Sequence, residues 1–264
     1  MKHQPRKRFG QNFLRDEGVI DAIARGIAPA PSDHIVEIGP GEGALTQALI
    51  RSECRLDAVE LDRDLTAGLL AAFSIYPGFK LHNADALRFD FGGLVRDGHP
   101  LRIVGNLPYN ISTPLIIQLL AQKRVIRDMH FMLQLEVVER LAATPGNKLW
   151  GRLGVLAQFH CEVEALFEVP PAAFYPAPKV QSAVVRLTPR KTPPWAAVDE
   201  AALGRCVALC FAQRRKTLRN NLKGHIDDEA LVQLGIDPGT RAEALTIENF
   251  IALARALPRP SQQS

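Results

Sequence analysis

Apolar residues in the first 187 positions of the chain form short unbroken runs that alternate with longer stretches of helical spacing. The short runs predict buried strands, and the spaced stretches predict helices that cover them. Strands are predicted over 34–38, 56–60, 79–82, 101–105, 129–135, 163–169 and 183–187. Helices are predicted over 16–28, 114–122, 136–143 and 150–159, with one more beginning at Ala44. This alternation predicts an α/β fold, a Rossmann-like doubly wound sheet whose last two strands are antiparallel neighbours.

The pattern changes after residue 187. Three prolines within 189–194 predict a linker. Beyond the linker, helical spacing recurs over 198–211, 214–222, 228–234 and 246–257. We therefore expect two domains, a Rossmann-like domain over 1–190 and a smaller all-helical domain over 195–264.

A glycine-rich turn follows the first predicted strand. Gly39, Gly41 and Gly43 stand at alternate positions, so the backbone can pass close to a ligand where the next helix begins. The spacing lacks the third glycine of the dinucleotide fingerprint. This difference favours S-adenosylmethionine over NAD, because S-adenosylmethionine has no pyrophosphate to bind at the helix N-terminus.

Acidic residues follow the next two predicted strands. Glu60 ends the second strand, where its carboxylate could accept hydrogen bonds from both ribose hydroxyls of a cofactor. Asp85 follows the third strand and could accept a hydrogen bond from the adenine amino group of that cofactor. Either acid alone is typical of a solvated loop. Ligands of open α/β sheets bind at the carboxyl ends of strands, so the two acids in this order predict a cofactor site.

The fourth strand ends in Asn106, Leu107, Pro108 and Tyr109, a turn suited to methylation of an exocyclic amine. Such an amine is a poor nucleophile while its lone pair is delocalised into the ring. A catalyst must therefore orient the amine and accept hydrogen bonds from its N–H groups. The Asn106 side-chain oxygen and the Leu107 carbonyl, which precedes a proline, can do this. Tyr109 offers a flat face for an extruded base, a contact worth roughly 1–3 kcal/mol.

Six segments in order along the chain together resemble the ribosomal RNA adenine dimethyltransferases, most closely the bacterial small-subunit enzymes of that family. They are RFGQNFL at 8–14, VEIGPG at 36–41, VGNLPY at 104–109, EVVERL at 136–141, FYPAPKV at 174–180 and QRRKTLR at 213–219. The resemblance implies a protein that dimethylates N6 of two adjacent adenosines in the 3′-terminal hairpin loop of 16S rRNA. The substrate it implies is a small-subunit precursor.

The resemblance also implies roles for individual residues. Asn106, Leu107, Pro108 and Tyr109 would form the catalytic turn, and Phe174 would stack on the target adenine opposite Tyr109. Cofactor contacts are implied at Asn12, Leu14, Gly39, Gly41, Glu60, Asp85 and Asn106.

Three residues depart from the pattern of the family. Gln181 stands where an acid is expected, Trp150 where a tyrosine is usual and Gly154 where a serine is usual. None lies in the cofactor loop or in the catalytic turn. We expect them to affect only contacts with RNA.

Composition is that of a globular protein of a reducing compartment. The 264 residues are 47% hydrophobic, and the four cysteines are too scattered for a disulfide scaffold. Cys206 and Cys210 would share a helix face, where two core thiols are more common than a metal site. No apolar run could cross a bilayer and no secretory signal is present, so we expect a cytoplasmic protein, a monomer without a bound metal.

Basic residues are clustered although the net charge is only +4. One cluster contains Arg6, Lys7 and Arg8, and the other contains Arg214, Arg215, Lys216 and Arg219. Clusters of this kind are typical of phosphate contacts, although a single one is often no more than a solvated helix face. Beside an adenine-methylating site, both are expected to bind RNA.

Four other functions fit part of the pattern. They are a large-subunit rRNA adenine methyltransferase, a DNA adenine or protein glutamine methyltransferase, a ribosome-assembly factor whose methylation is secondary, and an NAD oxidoreductase. The segments at 174–179 and 213–219 disfavour the first, and Leu107, where proline is usual, disfavours the second. The complete set of Gly39, Glu60, Asp85 and Asn106 favours real catalysis over assembly alone. The glycine spacing disfavours NAD.

Overall fold

A computed structural model of the chain describes residues 11–96, 98–192, 194–195 and 197–258. These residues form two compact units. The first unit contains the described residues up to Val138 together with Cys161–Pro189, and the second contains Glu139–His160 and the described residues from Arg190 onwards.

The strands of the described chain all lie in the first unit. They are β1 (Phe13–Leu14), β2 (His34–Ile38), β3 (Arg55–Glu60), β4 (Phe79–Asn83), β5 (Leu101–Asn106), β6 (Ile126–Gln134), β7 (Cys161–Val169), β8 (Phe174–Tyr175) and β9 (Ser182–Pro189). Seven of these described strands form one sheet in the order β4-β3-β2-β5-β6-β9-β7, and β1 pairs with β8 in a separate ribbon.

Helices follow most of the parallel strands. They are α2 (Ala44–Ile50), α3 (Arg63–Phe73), α4 (Ser112–Ala121) and α5 (Leu135–Ala142), and a further helix, α1 (Glu17–Ile27), precedes the first parallel strand. Every position of β2 is buried, as expected of a parallel strand covered on both faces. The doubly wound fold is confirmed, and so is the antiparallel pairing of the last two strands of the sheet, β7 and β9.

Strand order places a crevice between β2 and β5. From β2 the chain adds β3 and β4 on one side and then returns to add β5 and β6 on the other, all parallel. The strand order reverses at this point, and in open α/β sheets ligands bind outside the carboxyl ends of the strands at such a reversal. The glycine turn follows β2 and the Asn106 turn follows β5, so the two meet there.

Arg102 in β5 holds the opposite end of this part of the sheet together. Its Nε donates to both carboxylate oxygens of Asp128 on β6 at 3.0 Å, and its Nη1 donates to Asp33 at 2.7 Å. Its Nη2 donates to the carbonyl oxygen of Ile27, the last residue of α1, at 2.6 Å. One buried guanidinium therefore connects α1, the residue before β2, β5 and β6.

The second unit is helical and has its own core. Its helices are α6 (Arg152–His160), α7 (Glu200–Cys210), α8 (Leu218–Asn221), α9 (Asp228–Gln233) and α10 (Ile247–Ala256). Cys206 and Cys210 are free thiols in this core. No helix among the described residues is long and apolar enough to cross a membrane.

The division of the chain differs from the predicted one in a single segment. Residues 139–160, which the sequence placed with the Rossmann-like part, belong to the helical unit. Trp150 is buried in the helical core, where its Nε1 donates to the Leu245 carbonyl at 2.9 Å, and Val155 and Phe159 pack in the same core. Periodicity along the chain cannot reveal a segment that leaves one unit and packs in another.

The helix predicted over 214–222 is also wrong in its first half. Only Leu218–Asn221 is helical, and 211–216 form turns. The side chain of Asn221 donates to the carbonyl oxygens of Cys210 and Gln213 at 2.8 and 3.2 Å and accepts from the backbone of Gln213. Backbone groups that a helix would pair with each other are thus satisfied by one side chain.

Trp150 and Gly154, two of the departures from the family pattern, lie against each other in this core. A Cβ at Gly154 would lie 3.2 Å from the six-membered ring of Trp150 and 2.6 Å from the carbonyl oxygen of Arg140. The larger ring at 150 therefore occupies space that a missing side chain at 154 leaves. The expectation that these residues concern RNA contacts is wrong, because both are buried core positions.

Gln181, the third departure, is exposed, and its side chain donates to Glu168 at 2.8 Å. An acid at position 181 would instead face the carboxylate of Glu168. The amide therefore suits this neighbour.

We predict that Gly154→Ala lowers the free energy of unfolding by about 1–3 kcal/mol, because the added methyl overpacks the core. Trp150→Tyr made in the Gly154→Ala background should recover part of this loss. Gly204→Ala is the matched control, since a Cβ at this helical position meets nothing within 4 Å and should stabilise slightly. Urea unfolding of these three variants and of Trp150→Tyr alone would measure the effects, and additive losses in the double variant would contradict the compensation.

Candidate active site

A cavity lies at the carboxyl ends of β2, β3 and β5, and it brings together most of the site residues predicted from the sequence. All of the predicted cofactor residues line it, as does the whole catalytic turn: Asn12, Leu14, Gly39, Gly41, Glu60, Asp85, Asn106, Leu107, Pro108 and Tyr109. The residues come from five separate segments of the chain. Only the sheet topology places them around one space.

The glycine turn is shaped by left-handed backbone at Gly39 and Gly41, whose φ angles are 66° and 60°. Residues with a Cβ rarely adopt this conformation. A Cβ at Gly41 would also lie 3.0 Å from the ring of Phe13. At Gly39, by contrast, only the Asn106 carbonyl oxygen would lie near a Cβ, at 3.8 Å, so a ligand can approach the backbone there.

Glu60 is connected to this turn by its own carboxylate. One oxygen accepts from the Gly41 N–H at 3.3 Å, and the other accepts from the Asp62 N–H at 2.8 Å. Burial raises the pKa of Glu60 above its usual value, although the hydrogen bonds from these backbone N–H groups oppose the rise. A buried carboxylate with acceptor lone pairs left beyond these two bonds suits a pair of ribose hydroxyls.

Asp85 lies half-buried after β4. Its Oδ1 accepts from the Leu87 N–H at 2.9 Å and so caps a short turn of helix. This bond fixes the carboxylate at the cavity wall.

The catalytic turn begins at a position where only glycine fits. A Cβ at Gly105 would lie 2.4 Å from the Ile38 carbonyl oxygen, so β2 and β5 could not approach as they do. Asn106 follows, and its Nδ2 donates to the Asn12 carbonyl at 2.9 Å. A backbone carbonyl can accept a hydrogen bond from the Asn106 side chain only through its nitrogen, Nδ2. The Asn106 Oδ1 is therefore directed away from the Asn12 carbonyl and remains a hydrogen-bond acceptor.

Tyr109 is held by its hydroxyl. The Tyr109 hydroxyl and the Ser182 Oγ form a hydrogen bond of 2.9 Å, and Ser182 is completely buried in β9. Burial raises the pKa of Tyr109, so the hydroxyl stays protonated near neutral pH. The bond fixes the half-buried ring at the cavity.

Phe174 does not line the cavity. It is only 5% exposed and packs in the core of the first unit, where it pairs with Leu14 between β1 and β8. Its next neighbour Tyr175 is 55% exposed. The stacking role of Phe174 stays a prediction, and it would require the side chain to leave this core.

The two predicted RNA-binding clusters have different outcomes. Arg6, Lys7 and Arg8 lie outside the described residues. In the second unit Arg214, Arg215 and Lys216 are exposed on the turn held by Asn221. Arg219 forms an exposed ion pair with Asp228 at 2.7 Å.

Glu37 is a cavity residue that the sequence reasoning missed. It is 2% exposed in β2, and its Oε2 accepts from the Thr46 hydroxyl at 2.6 Å. Burial raises the pKa of Glu37 to about 7, and the nearby charge of Glu60 adds to the rise, while the Thr46 bond opposes it. An acid inside an otherwise apolar predicted strand was the signal that could have identified it.

His130 is a second missed residue. It is 3% exposed in β6 and lines the cavity, and its Nδ1 lies 3.4 Å from Asp128. Neither ring nitrogen makes a hydrogen bond with a described residue. A buried polar atom of this kind is usually satisfied by water or a ligand.

The donor set of the cavity fits a cationic nucleoside cofactor such as S-adenosylmethionine. At Gly39 the place where a side chain would stand is open, with only the Asn106 carbonyl oxygen 3.8 Å away. Glu37 and Glu60 are carboxyl groups whose pKa values are raised by burial, which disfavours their charged forms. A sulfonium or ammonium group would favour the charged forms.

Comparison with known proteins identifies similar sequences along almost the whole chain. Residues 2–258 match the sequence model of the family described as ribosomal RNA adenine dimethylase. The protein named ribosomal RNA small subunit methyltransferase A from Chromohalobacter salexigens is 57% identical over 96% of this chain and 91% of its own. The protein of the same name from Saccharophagus degradans is 57% identical over 97% of this chain and 95% of its own.

Solved structures show the same fold. A dimethyladenosine transferase from Plasmodium falciparum superposes with a TM-score of 0.76, covering 91% of this chain and 95% of its own at 23% identity. The 23S rRNA methyltransferase ErmE has a TM-score of 0.71, covering 93% of this chain and 99% of its own at 29% identity.

We predict that Glu37→Gln removes a pH dependence of stability. A folded-state pKa of about 7 against an ordinary 4.5 means that the folded protein retains a proton that the unfolded chain has lost between these values. Stability therefore falls as pH rises through this range, by on the order of 3 kcal/mol. Glutamine can still accept from Thr46 but does not titrate.

Urea unfolding between pH 4.5 and 8 measures this effect. Glu37→Gln should be the more stable protein at pH 8, and the difference should shrink towards pH 4.5. Glu42→Gln, at an exposed neighbouring acid of the same turn, should follow the wild type. Parallel curves for Glu37→Gln and wild type would contradict the assignment.

Proposed function

Since the chain belongs to the ribosomal RNA adenine dimethylase family, we propose that it dimethylates N6 of two adjacent adenosines in the 3′-terminal hairpin loop of 16S rRNA. The enzyme is an S-adenosylmethionine-dependent rRNA methyltransferase. The observation that carries the proposal is the position of Asn106. Its amide oxygen remains an acceptor in the same cavity as the glycine turn and Glu60.

The choice of the small subunit rests on sequence identity. Relatives named as small-subunit rRNA methyltransferases are 57% identical to this chain, whereas the 23S rRNA methyltransferase ErmE is 29% identical. The two groups share a fold. The greater similarity supports the small-subunit substrate.

Positioning of the amine is the main task of the catalytic turn. S-adenosylmethionine, when bound, supplies an electrophilic methyl group together with its leaving group. Asn106 Oδ1 and the Leu107 carbonyl accept hydrogen bonds from the N6–H groups, which favours a pyramidal nitrogen with its lone pair available. The hydrogen bond from Asn106 to Asn12 holds the acceptor in this orientation before substrate binds. The N6 proton is lost to water.

The target adenine must leave its stack to reach this turn. An aromatic face helps to offset the cost of unstacking. The Tyr109 ring is presented for this purpose, anchored at its hydroxyl by Ser182. Phe174 is proposed as the opposite face once it leaves the core described above.

Cofactor binding is proposed for the seven predicted cofactor residues, all of which line the cavity. Glu60 accepts hydrogen bonds from the ribose hydroxyls, and Asp85 accepts one from the adenine amino group. The remaining contacts are made by Asn12, Leu14, Gly39, Gly41 and Asn106. Glu37 is added to this set because its buried carboxyl lines the cavity and has a pKa raised to about 7.

The proposal extends to the state of the substrate. The basic cluster on the helical unit lies outside the unit that holds the cavity, so RNA contacts are spread over both units. Helical RNA is recognised mainly through shape and backbone, which suits a folded precursor subunit more than an isolated hairpin. We further propose that the enzyme is a cytoplasmic monomer.

We predict that Asn106→Ala lowers the methylation rate by about 10²–10³, the usual effect of removing one preorganised hydrogen-bonding group. Tyr109→Ala should be severely impaired. Tyr109→Phe should keep much of its activity, although its ring is held less firmly because the hydrogen bond to Ser182 is lost. Methyl transfer from labelled S-adenosylmethionine to small-subunit rRNA, mapped by mass spectrometry, measures the three variants. A phenylalanine variant as inactive as the alanine variant would mean that the hydroxyl, not the ring, is required.

Late precursor subunits should be methylated far better than an isolated hairpin, and mature translating subunits should be refused. Methyl incorporation into naked rRNA, precursors and mature subunits must be compared at one salt concentration. Equal rates on hairpin and precursor would refute the preference for a precursor and leave the adenine chemistry intact.

Replacing Arg214, Arg215 and Lys216 by alanine should flatten the slope of log affinity for rRNA against log salt, by roughly 0.7–0.9 for each phosphate that the variant no longer neutralises. Binding of S-adenosylmethionine should not change, because its cavity lies in the other unit. The matched control is Arg51→Ala, an exposed arginine of the first unit that belongs to neither basic cluster. An unchanged slope in the triple variant would show that this turn does not bind phosphates.

A further inference from the structure

Tyr175 and Arg15 form an exposed stacked pair beside the cavity. The guanidinium carbon of Arg15 lies 4.6 Å from the centre of the Tyr175 ring. The tyrosine is nevertheless 55% exposed. An aromatic ring with a cation on one side and a large exposed surface resembles the platforms on which single-stranded nucleic acids stack their bases.

The pair belongs to the ribbon of β1 and β8. Tyr175 lies directly opposite Phe13, and opposed residues of an antiparallel pair share a face. Arg15 is two residues beyond Phe13, and its N–H continues the pairing by donating to the Ala173 carbonyl at 2.8 Å. Phe13, Arg15 and Tyr175 therefore lie on one face of the ribbon.

This face lies against the glycine turn. The Phe13 ring lies 3.0 Å from where a Cβ of Gly41 would stand, and the ring lines the cavity. The Arg15 Nη2 is 3.2 Å from the Glu42 carboxylate in the same turn. The stacked pair is thus fixed to the rim of the cavity.

The catalytic turn is close to this rim. Asn12, which accepts the Asn106 amide, immediately precedes Phe13, the partner of Tyr175. Consecutive Cα atoms are about 3.8 Å apart and paired Cα atoms about 4.5–5.5 Å apart, so the Cα atoms of Tyr175 and Asn12 lie within roughly 10 Å. A nucleotide next to one held at Asn106 can reach Tyr175.

We propose that Tyr175, backed by Arg15, stacks on the unpaired base next to the target adenosine. This inference rests on the proposed function. The ring holds the neighbouring base while the target occupies the cavity, and the Arg15 charge on the far side of the ring strengthens the stack and attracts the backbone. The contact fixes which nucleotide of a loop enters the cavity. The role differs from that of Phe174, whose side chain faces the core.

Binding of the full-length protein to a synthetic 3′-terminal hairpin of 16S rRNA at constant salt is the first test. Tyr175→Ala should weaken binding by about 5- to 150-fold, the range expected for loss of one base–aromatic stack. Tyr175→Phe should stay close to wild type. Tyr76→Ala is the matched control, since Tyr76 is also an exposed tyrosine, at 41%, but lies outside the ribbon of β1 and β8.

An abasic nucleotide distinguishes stacking from a structural effect. Two RNAs are compared, one abasic immediately 5′ and one immediately 3′ of the target adenosines. In the wild type, one of them should weaken binding as much as Tyr175→Ala does. In Tyr175→Ala, the same abasic RNA should cause little further loss. Calorimetry should give unchanged S-adenosylmethionine affinity for Tyr175→Ala.

Several outcomes would overturn the inference. They are equal binding by Tyr175→Ala and Tyr76→Ala, independent losses from the abasic site and the variant, or weakened S-adenosylmethionine binding by Tyr175→Ala. Failure of the proposed function would appear differently, as a wild-type protein that transfers no methyl group to small-subunit rRNA.

Discussion

The buried guanidinium of Arg102 is the interaction on which the geometry of the cavity depends. It donates to Asp33, to Asp128 and to the last carbonyl of α1, and so it fixes β5 between its neighbours below the crevice. A buried charge is tolerated only where it is paired and hydrogen-bonded. Here all three nitrogens of the Arg102 guanidinium donate hydrogen bonds, each to a different partner. The strand that this residue holds ends in the catalytic turn.

Close approach of β2 and β5 is the consequence at the other end of the strand. Gly105 has no side chain to separate them, and the Asn106 amide can then reach the Asn12 carbonyl. That bond gives the amide a single orientation. The orientation of the Asn106 amide thus depends on a contact with a segment that lies more than ninety residues away in the sequence.

The cavity combines this acceptor with two buried carboxylates. Burial raises the pKa values of Glu37 and Glu60 and so disfavours their charged forms. A cation restores the balance, because an opposite charge favours ionisation.

The sequence by itself determined the doubly wound fold, the glycine turn, the acids at the strand ends and the catalytic turn. Each of these follows from local rules: strand periodicity, the backbone freedom of Gly39 and Gly41, and the meeting of strand ends at one edge of a sheet. The tertiary structure alone decided the packing of 139–160 in the helical core, the turn held by Asn221, the burial of Phe174 and the exposure of Tyr175. These features depend on contacts between residues far apart in the chain, and no local pattern of polarity records which partner a side chain will meet.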